Sequence, residues 1–325
     1  MTDDAKIRRT GWYGRKTGDG RFNRQDSAFR NWVTPDGSPG PTGTGGFEAQ
    51  PGRYHLYVSW ACPWAHRTLI YRSLKGLADQ ISISVVNPIL GEAGWSFHEG
   101  PGVIPDSVNG AEYLMEIYRR ADPDYDLRPT VPVLWDTARG TIVSNESADI
   151  IRMLDSAFDA CGASGPVFYP AALAKEIEAL NAWIYRTFNN GVYRAGFATT
   201  QTAYEEAVAE VFETIDALET RLAGRRYLTG SAITEADWRL FPTLLRFDPV
   251  YVGHFKCNVK RIVDCPNLWG YTRDLYQQPG VAGTVDLAYT KTHYYGSHGG
   301  INPTGVVPVG PEVDFQTPHD RDRLG

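Results

Sequence analysis

The spacing of apolar residues changes along this chain, and that change limits the folds it can adopt. Leu56, Val58 and Trp60 alternate with other residues, which is the spacing of a strand. Ile70 and Leu74 then follow at helical spacing. Further apolar runs occupy residues 81–86, 131–135 and 141–143, and residues 147–158 have the spacing of a helix. The first half is therefore predicted to combine strands and helices.

Beyond Pro170 the apolar spacing is helical throughout. One helical face carries Leu173, Ile177, Leu180, Ile184 and Phe188, and a second carries Tyr204, Val208, Val211, Ile215, Leu218 and Leu222. Thr234 with Asp237 three residues later forms a capping box, so a helix is predicted to begin at Glu235. The second half is predicted to be entirely helical.

Both ends of the chain lack long periodic segments. The first 50 residues are rich in glycine and carry aromatic islands at Trp12-Tyr13, Phe22 and Phe29, which predicts an irregular arm that packs through its aromatic rings. Four prolines after residue 300 exclude long helices. We predict an arm over residues 1–50, an α/β domain over 51–165, a helical domain over 166–289 and an extended tail over 290–325.

Composition and charge favour a small-molecule partner. The 325 residues have 32 Lys and Arg against 38 Asp and Glu, and the resulting net charge of -6 disfavours nucleic-acid binding. No window approaches 18 uninterrupted apolar residues, and the first residues lack the apolar segment of a secretory signal. These features predict no membrane span and a cytoplasmic location.

Cys62 lies where a predicted strand meets a predicted helix, with Pro63 at the first helical position. Backbone N–H groups at a helix start stabilise a thiolate, so Cys62 is the candidate nucleophile. The alternative is an inert buried thiol, which is the interpretation given to Cys161, Cys257 and Cys265. Ala65 stands where a second thiol of a redox pair would be, so a thiol from solution must resolve any mixed disulfide.

Two further segments suggest a peptide-like ligand. Pro132 interrupts the third predicted strand, and a cis Val131-Pro132 bond at a sheet edge would leave the N–H and C=O of Val131 available to an extended peptide. An ordinary edge-strand proline is the alternative. Asn145-Glu146-Ser147 opens the next helix and offers groups for the ammonium and carboxylate of an amino acid, although plain helix capping explains it equally well.

The string Cys62-Pro63-Trp64-Ala65-His66-Arg67 resembles the active-site signature of the glutathionyl-hydroquinone reductases, also called Xi-class glutathione transferases. The similarity continues through Arg128–Asp136, Asn145–Ser147, Asn189–Phe197, Leu228–Asn258, His293–His298 and Ile301–Pro311. It covers nearly the whole chain, including both extensions. The resemblance implies a thioredoxin-like N-terminal domain, an all-α C-terminal domain, glutathione as co-substrate and a homodimer.

The resemblance also implies roles for individual residues. Glutathione would be held by Trp95, Arg128, Val131, Glu146 and Ser147. The hydroxyl of an aromatic substrate would be bound by Tyr193 and by one of the adjacent pair Tyr294 and Tyr295, unless these tyrosines only pack and cap. His293 and His298 have four residues between them at the start of the predicted tail and no third ligand nearby. This is a weak metal pattern, so no metal is expected.

The expected activity is reduction of S-glutathionylated hydroquinones through a disulfide between Cys62 and glutathione. One alternative is a glutaredoxin-like thioltransferase or dehydroascorbate reductase, which needs the same cysteine but no phenol-binding tyrosines. A second alternative is a non-catalytic module with a transferase fold. The presence of Cys62 between strand and helix argues against that module.

Overall fold

The structure is a computed structural model that describes the backbone of residues 15–16 and all of residues 18–324. The aromatic pair Trp12-Tyr13 lies outside the described residues. The chain divides into two compact units. We call Asp26–Val167 with Gly283–His293 the cysteine unit, and the rest of the described chain, which includes Phe168–Ala282, the helical unit.

The cysteine unit contains a four-stranded mixed sheet. Its strands are β1 (Tyr54–Val58), β2 (Ile81–Val85), β3 (Val133–Asp136) and β4 (Thr141–Ser144), arranged in the order β2-β1-β3-β4. The β1–β2 pair is parallel, whereas β1–β3 and β3–β4 are antiparallel. All five residues of β1 are buried, as expected for a central strand covered on both faces.

The helices of the cysteine unit cover this sheet. They are α1 (Pro63–Leu74), α2 (Leu114–Ala121) and α3 (Ser147–Ser156). Helix α1 packs on α3, and both helices carry fully buried apolar side chains, including Ile70, Ile150 and Leu154. The prediction of alternating strands and helices in the first half is therefore confirmed. Helices packed on a sheet bury the apolar faces of both kinds of element in one core.

The segment around Pro132 differs from the prediction in its position. The Val131-Pro132 peptide bond is cis, as predicted. The predicted sheet edge is wrong, because β3 lies inside the sheet between β1 and β4. Pro132 does not interrupt the strand, since β3 begins only at Val133 and the proline occupies the loop before it.

The helical unit is built from α4 (Ala174–Ile184), α5 (Gly191–Gly196), α6 (Gln201–Leu222), α7 (Glu235–Arg246) and α8 (Pro266–Tyr276). Two π-helical turns, Tyr185–Asn189 and Phe247–Tyr251, follow α4 and α7 directly. Helix α7 begins at Glu235 with the predicted capping box between Thr234 and Asp237. The all-helical prediction for the second half is therefore confirmed.

The N-terminal arm packs through its aromatic rings, as predicted for the part that the structure describes. Phe29 contacts the rings of Tyr118 and Tyr125 at centroid distances of 5.8 and 5.9 Å. Arg30 pairs with Ser144, so this part of the arm runs antiparallel to β4. In the helical unit, a two-stranded hairpin formed by Arg15–Lys16 and Phe22–Asn23 carries the ring of Phe22.

Near the C-terminus the structure is more regular than predicted. Helix α9 spans Leu287–Ser297, although the sequence predicted an extended tail from residue 290. The helix has no apolar stripe, and its buried side chains, including Tyr289 and His293, contact other segments through hydrogen bonds. Tertiary contacts of this kind leave no periodic signal in the sequence.

Candidate active site

Cys62 is the residue that caps the start of α1, and Pro63 is the first residue of that helix. The Cys62 N–H donates to the carbonyl of Ser59 at 3.2 Å, which closes a tight turn between β1 and α1. The half-buried Cys62 Sγ lies 3.4 Å from the Val131 carbonyl oxygen. Cys62 and Val131, which the sequence linked to one site, are therefore in contact.

The first turns of α1 also contain two buried basic side chains. His66 Nε2 lies 2.8 Å from Thr284 Oγ1. The Arg67 guanidinium stacks 4.6 Å from the Trp64 ring and donates to Ser147 Oγ at 3.4 Å. Arg67 therefore links α1 to the start of α3, where two further candidate residues lie.

Glu146 caps the N-terminus of α3. One carboxylate oxygen accepts the N–H of Ala148 at 3.0 Å, and the other accepts the hydroxyl of Ser27 at 2.9 Å. Capping is thus a real role of Glu146, and the same carboxylate also holds the N-terminal arm. Glu146 and Ser147 lie where the N–H groups of a helix start form an anion-binding position.

Trp95 and Arg128 lie elsewhere in the cysteine unit. The half-buried Trp95 ring stacks on His293 with a centroid distance of 4.8 Å. His293 Nδ1 lies 2.8 Å from the Pro88 carbonyl, so this nitrogen must be the donor. Arg128 is half-buried, and its carbonyl accepts the Tyr125 hydroxyl at 3.1 Å.

In the helical unit three tyrosine hydroxyls meet. The hydroxyls of Tyr193 and Tyr294 are 2.5 Å apart, and Tyr251 approaches Tyr294 at 3.2 Å. Of the adjacent pair at the end of α9, Tyr294 is thus the residue that joins Tyr193. The Tyr295 ring lies 4.7 Å from that of His254, and a side chain at Gly253 would meet its hydroxyl.

The surroundings of this tyrosine cluster are aromatic and mostly buried. Burial raises the pKa of Tyr294 and of Tyr251 well above the ordinary value, so both hydroxyls keep their protons at neutral pH. The Arg24 guanidinium lies 4.8 Å from the Tyr193 ring, a favourable cation–π arrangement. Phe255 also contacts Tyr193, and it packs so closely on α5 that a Cβ at Gly196 would lie 2.1 Å from its ring.

Tyr251 is the member of this tyrosine cluster that sequence reasoning missed. It lies in the segment Asp248–Asn258, which carries part of the family resemblance, but no spacing rule distinguishes it from the other aromatic residues there. Its place at the end of the π-helical turn that follows α7 offers a structural signal, because π turns occur often at functional sites. That turn cannot be recognised from periodicity.

The other three cysteines are suited to a passive role. Burial raises the pKa of Cys257 to about 12 and that of Cys265 to about 11, and it also raises the pKa of Cys161. All four cysteines lie within residues 18–324, and none forms a disulfide. Three of the four therefore remain protonated thiols at neutral pH.

Two features are absent from the described residues, a cluster of metal ligands and a membrane-spanning helix. Among residues 18–324, no three His, Cys, Asp or Glu side chains are grouped as they would be around a metal ion. No helix in the described part of the chain has the length and apolarity needed to cross a membrane.

Comparison with known proteins gives consistent matches over both halves. The model of the glutathione S-transferase N-terminal domain matches residues 61–157, and that of the C-terminal domain matches residues 201–274. Glutathionyl-hydroquinone reductase YqjG of Escherichia coli is 59% identical over 96% of this chain and 95% of its own. Glutathionyl-hydroquinone reductase PcpF of Sphingobium chlorophenolicum is 53% identical over 93% and 94%.

Solved structures agree with these matches. The glutathione-bound structure of Escherichia coli YqjG has a TM-score of 0.89 and covers 90% of this chain and 96% of its own at 59% identity. The Xi-class glutathione transferase of Natrialba magadii has a TM-score of 0.88 and covers 94% and 96% at 47% identity. This chain therefore belongs to the glutathione transferase family, among the glutathionyl-hydroquinone reductases that form its Xi class.

Proposed function

We propose that this protein is a glutathione-dependent reductase that converts S-glutathionyl-hydroquinones into hydroquinones. The proposal rests on one observation: Cys62 lies at the start of α1, directly before Pro63, and position 65 holds alanine instead of a second cysteine. Two relatives of more than 50% identity are named for this activity, and one of them was solved with glutathione bound.

In the first half of the reaction, the Cys62 thiolate attacks the sulfur that joins glutathione to the aromatic ring. A sulfur–sulfur bond forms between Cys62 and glutathione, and the carbon–sulfur bond breaks. The electron pair of that bond stays on the ring carbon, which takes up one proton to give the hydroquinone. The ring is thereby reduced, and the two sulfur atoms are oxidised to a disulfide.

In the second half, the thiolate of a second glutathione attacks the glutathionyl sulfur of the mixed disulfide. Oxidised glutathione leaves, and Cys62 returns as a thiolate. A solution thiol is required because position 65 holds alanine instead of a resolving cysteine. The hydroquinone leaves before the second glutathione reacts, and the mixed disulfide of Cys62 is the enzyme form between the two halves. The kinetics should therefore be ping-pong.

Five residues of the cysteine unit are proposed to bind glutathione. Glu146 and Ser147 are assigned to the γ-glutamyl end, and their place at the start of α3 supports this because a carboxylate binds well to helix N–H groups. Val131 is assigned to a backbone contact, supported by its place 3.4 Å from Cys62 Sγ. Trp95 and Arg128 are assigned to the cysteinyl and glycyl parts.

The tyrosines are proposed to act on the hydroxyl of the aromatic substrate. Cleavage of the carbon–sulfur bond leaves negative charge on the ring, and hydroxyl donors to the phenolic oxygen would stabilise it. The hydrogen bond between Tyr193 and Tyr294 supports these two as the donors. Tyr295, the other residue of the adjacent pair, is the alternative to Tyr294.

A comparison of two substrates tests the proposal against a general thioltransferase. The purified protein should reduce an S-glutathionyl-hydroquinone much faster than it reduces a mixed disulfide of glutathione with a small thiol. Equal or faster reduction of the mixed disulfide would favour the glutaredoxin-like alternative, and inactivity on both would favour a non-catalytic module.

We further propose a homodimer, while the cytoplasmic location predicted from the sequence stays a prediction.

A further inference from the structure

Tyr289, in the first half of α9, is buried against the turn that precedes Cys62. Its hydroxyl donates to the carbonyl of Val86, just after β2, and lies 3.3 Å from Ser59 Oγ. A tyrosine hydroxyl has a single proton, and that proton is directed to Val86. Ser59 must therefore be the donor in its contact with Tyr289, which fixes the orientation of the Ser59 hydroxyl.

The orientation of Ser59 matters because its oxygens hold the following residues. Ser59 Oγ accepts the N–H of Ala61 at 3.3 Å, and the Ser59 carbonyl accepts the N–H of Cys62 at 3.2 Å. Between them, Thr290 Oγ1 lies 3.3 Å from the Trp60 carbonyl, but its single proton is directed to the nearer Asp286 carbonyl at 2.6 Å. The turn from Ser59 to Cys62 is thus held by its own first residue, which Tyr289 of α9 contacts in turn.

The Tyr289 ring itself has little room to move. A Cβ at Gly102 would lie 3.0 Å from Tyr289 Cδ2, so the ring packs directly on the Gly102 backbone. The ring of Trp60 lies on the same glycine and donates to its carbonyl at 3.0 Å. The contact with Gly102 therefore restricts the ring whose hydroxyl bonds to Ser59.

We propose that Tyr289 is a positioning residue for Cys62. Its hydroxyl holds Ser59, Ser59 holds the turn, and the turn places Cys62 at the start of α1, with its sulfur 3.4 Å from the Val131 carbonyl. In this role Tyr289 acts through Ser59. The inference rests on the proposed function, in which Cys62 is the nucleophile.

Two single variants and their combination test this role. Tyr289→Phe keeps the ring but removes the hydroxyl, and Ser59→Ala removes the other partner. In single-turnover measurements with an S-glutathionyl-hydroquinone, each should lower the limiting rate constant of hydroquinone release about 10- to 100-fold. The half-saturating substrate concentration should change less than about twofold, because binding groups are untouched.

The double variant separates positioning from packing. Because Tyr289 acts through Ser59, combining the two changes should be no slower than Ser59→Ala alone. Tyr54→Phe is a matched control, since Tyr54 is also buried in the cysteine unit and donates to a backbone carbonyl, that of Glu48, at 2.6 Å. It should cost similar thermal stability and leave the rate constant unchanged.

The failure of this inference is distinguishable from failure of the proposed function. A wild-type rate in Tyr289→Phe, equal slowing in Tyr54→Phe, or losses that multiply in the double variant would each overturn the positioning role. Absence of hydroquinone release by the wild-type protein would instead overturn the proposed function.

Discussion

A cysteine at the start of a helix differs chemically from one inside a core, and this chain contains both kinds. Cys62 is half-buried at the N-terminus of α1, whereas Cys257 is fully buried and burial raises its pKa to about 12. Helix N–H groups stabilise a thiolate only at the first of these positions. Cys265 also stands at a helix start, directly before Pro266 of α8, but it is buried and its pKa is raised to about 11. The assignment of the nucleophile therefore rests on the exposure of Cys62 as well as on its position and on family membership.

Replacement of this thiol should abolish the reaction. Cys62→Ala is expected to leave no more than a few per cent of the wild-type reduction of an S-glutathionyl-hydroquinone, because Ala65 offers no substitute nucleophile. Steady-state assay of hydroquinone formation checks this, and Cys257→Ala is the control that should remain active. Substantial activity in Cys62→Ala would refute the mixed-disulfide mechanism.

Removal of the Tyr193 hydroxyl tests which class of substrate the protein reduces. Tyr193→Phe is expected to slow reduction of S-glutathionyl-hydroquinones about 10- to 1000-fold, the range for one lost acid or oxyanion donor. Reduction of a glutathione disulfide should hardly change, because it needs no phenol contact. Tyr204→Phe, which removes a half-buried hydroxyl bonded to the Lys256 carbonyl, is the matched control.

The neighbouring tyrosines extend the same test. Tyr294→Phe should resemble Tyr193→Phe, since the two hydroxyls are hydrogen-bonded, while Tyr295→Phe should not. The reverse order would assign the role to Tyr295. If Tyr193→Phe instead slowed the S-glutathionyl-hydroquinone and the glutathione disulfide equally, Tyr193 would only shape its surroundings.

At the scale of elements, the capping box of α7 does more than the sequence predicted. Asp237 accepts the N–H of Thr234 at 2.7 Å, and it also accepts the N–H of Leu228 at 2.9 Å and the hydroxyl of Tyr271 at 2.7 Å. The carboxylate is completely buried, and burial raises its pKa. It therefore ties the loop before α7 and the helix α8 to the start of α7.

Stability measurements should separate the two partners of this box. Thr234→Ala is expected to lower the free energy of unfolding by about 1 kcal/mol, the usual cost of a lost cap. Asp237→Ala should cost roughly 3 kcal/mol, because buried donors lose their acceptor. Urea unfolding checks both values, and equal costs would show that Asp237 contributes only a cap.

The buried His55 of β1 should make the free energy of unfolding fall in acid. His55 is buried, with Nδ1 at 2.6 Å from Ser82 Oγ and Nε2 at 2.9 Å from Ser84 Oγ. Burial lowers its pKa from the ordinary 6.5 to about 4. The unfolded chain therefore binds this proton more readily, so the stabilisation is present above pH 6.5 and is lost as the pH falls towards 4.

A variant without this titration provides the measurement. Between pH 7 and pH 4.5, wild-type protein should lose about 2 to 3 kcal/mol more unfolding free energy than His55→Gln. Urea unfolding at a series of pH values gives both curves. Parallel curves would mean that His55 does not titrate differently in the folded and unfolded states.

At the scale of the whole molecule, the parts that the sequence predicted are those with a local signal. Alternating and helical apolar spacing identified the two halves, and Pro63 and Thr234 identified two helix starts. The contacts of α9 and the place of Tyr251 were not predictable, because they depend on residues far apart in the chain. Hydrogen bonds between such residues leave no periodic pattern in the sequence.

The mixed disulfide of Cys62 is the intermediate on which the whole account depends. The protein is mixed with an S-glutathionyl-hydroquinone in the absence of free glutathione and analysed by mass spectrometry of the intact chain and its peptides. The account predicts a mass increase of one glutathionyl group, located on Cys62, with release of one hydroquinone per chain. An unmodified Cys62 after hydroquinone release, or an adduct that retains the aromatic ring, would contradict it.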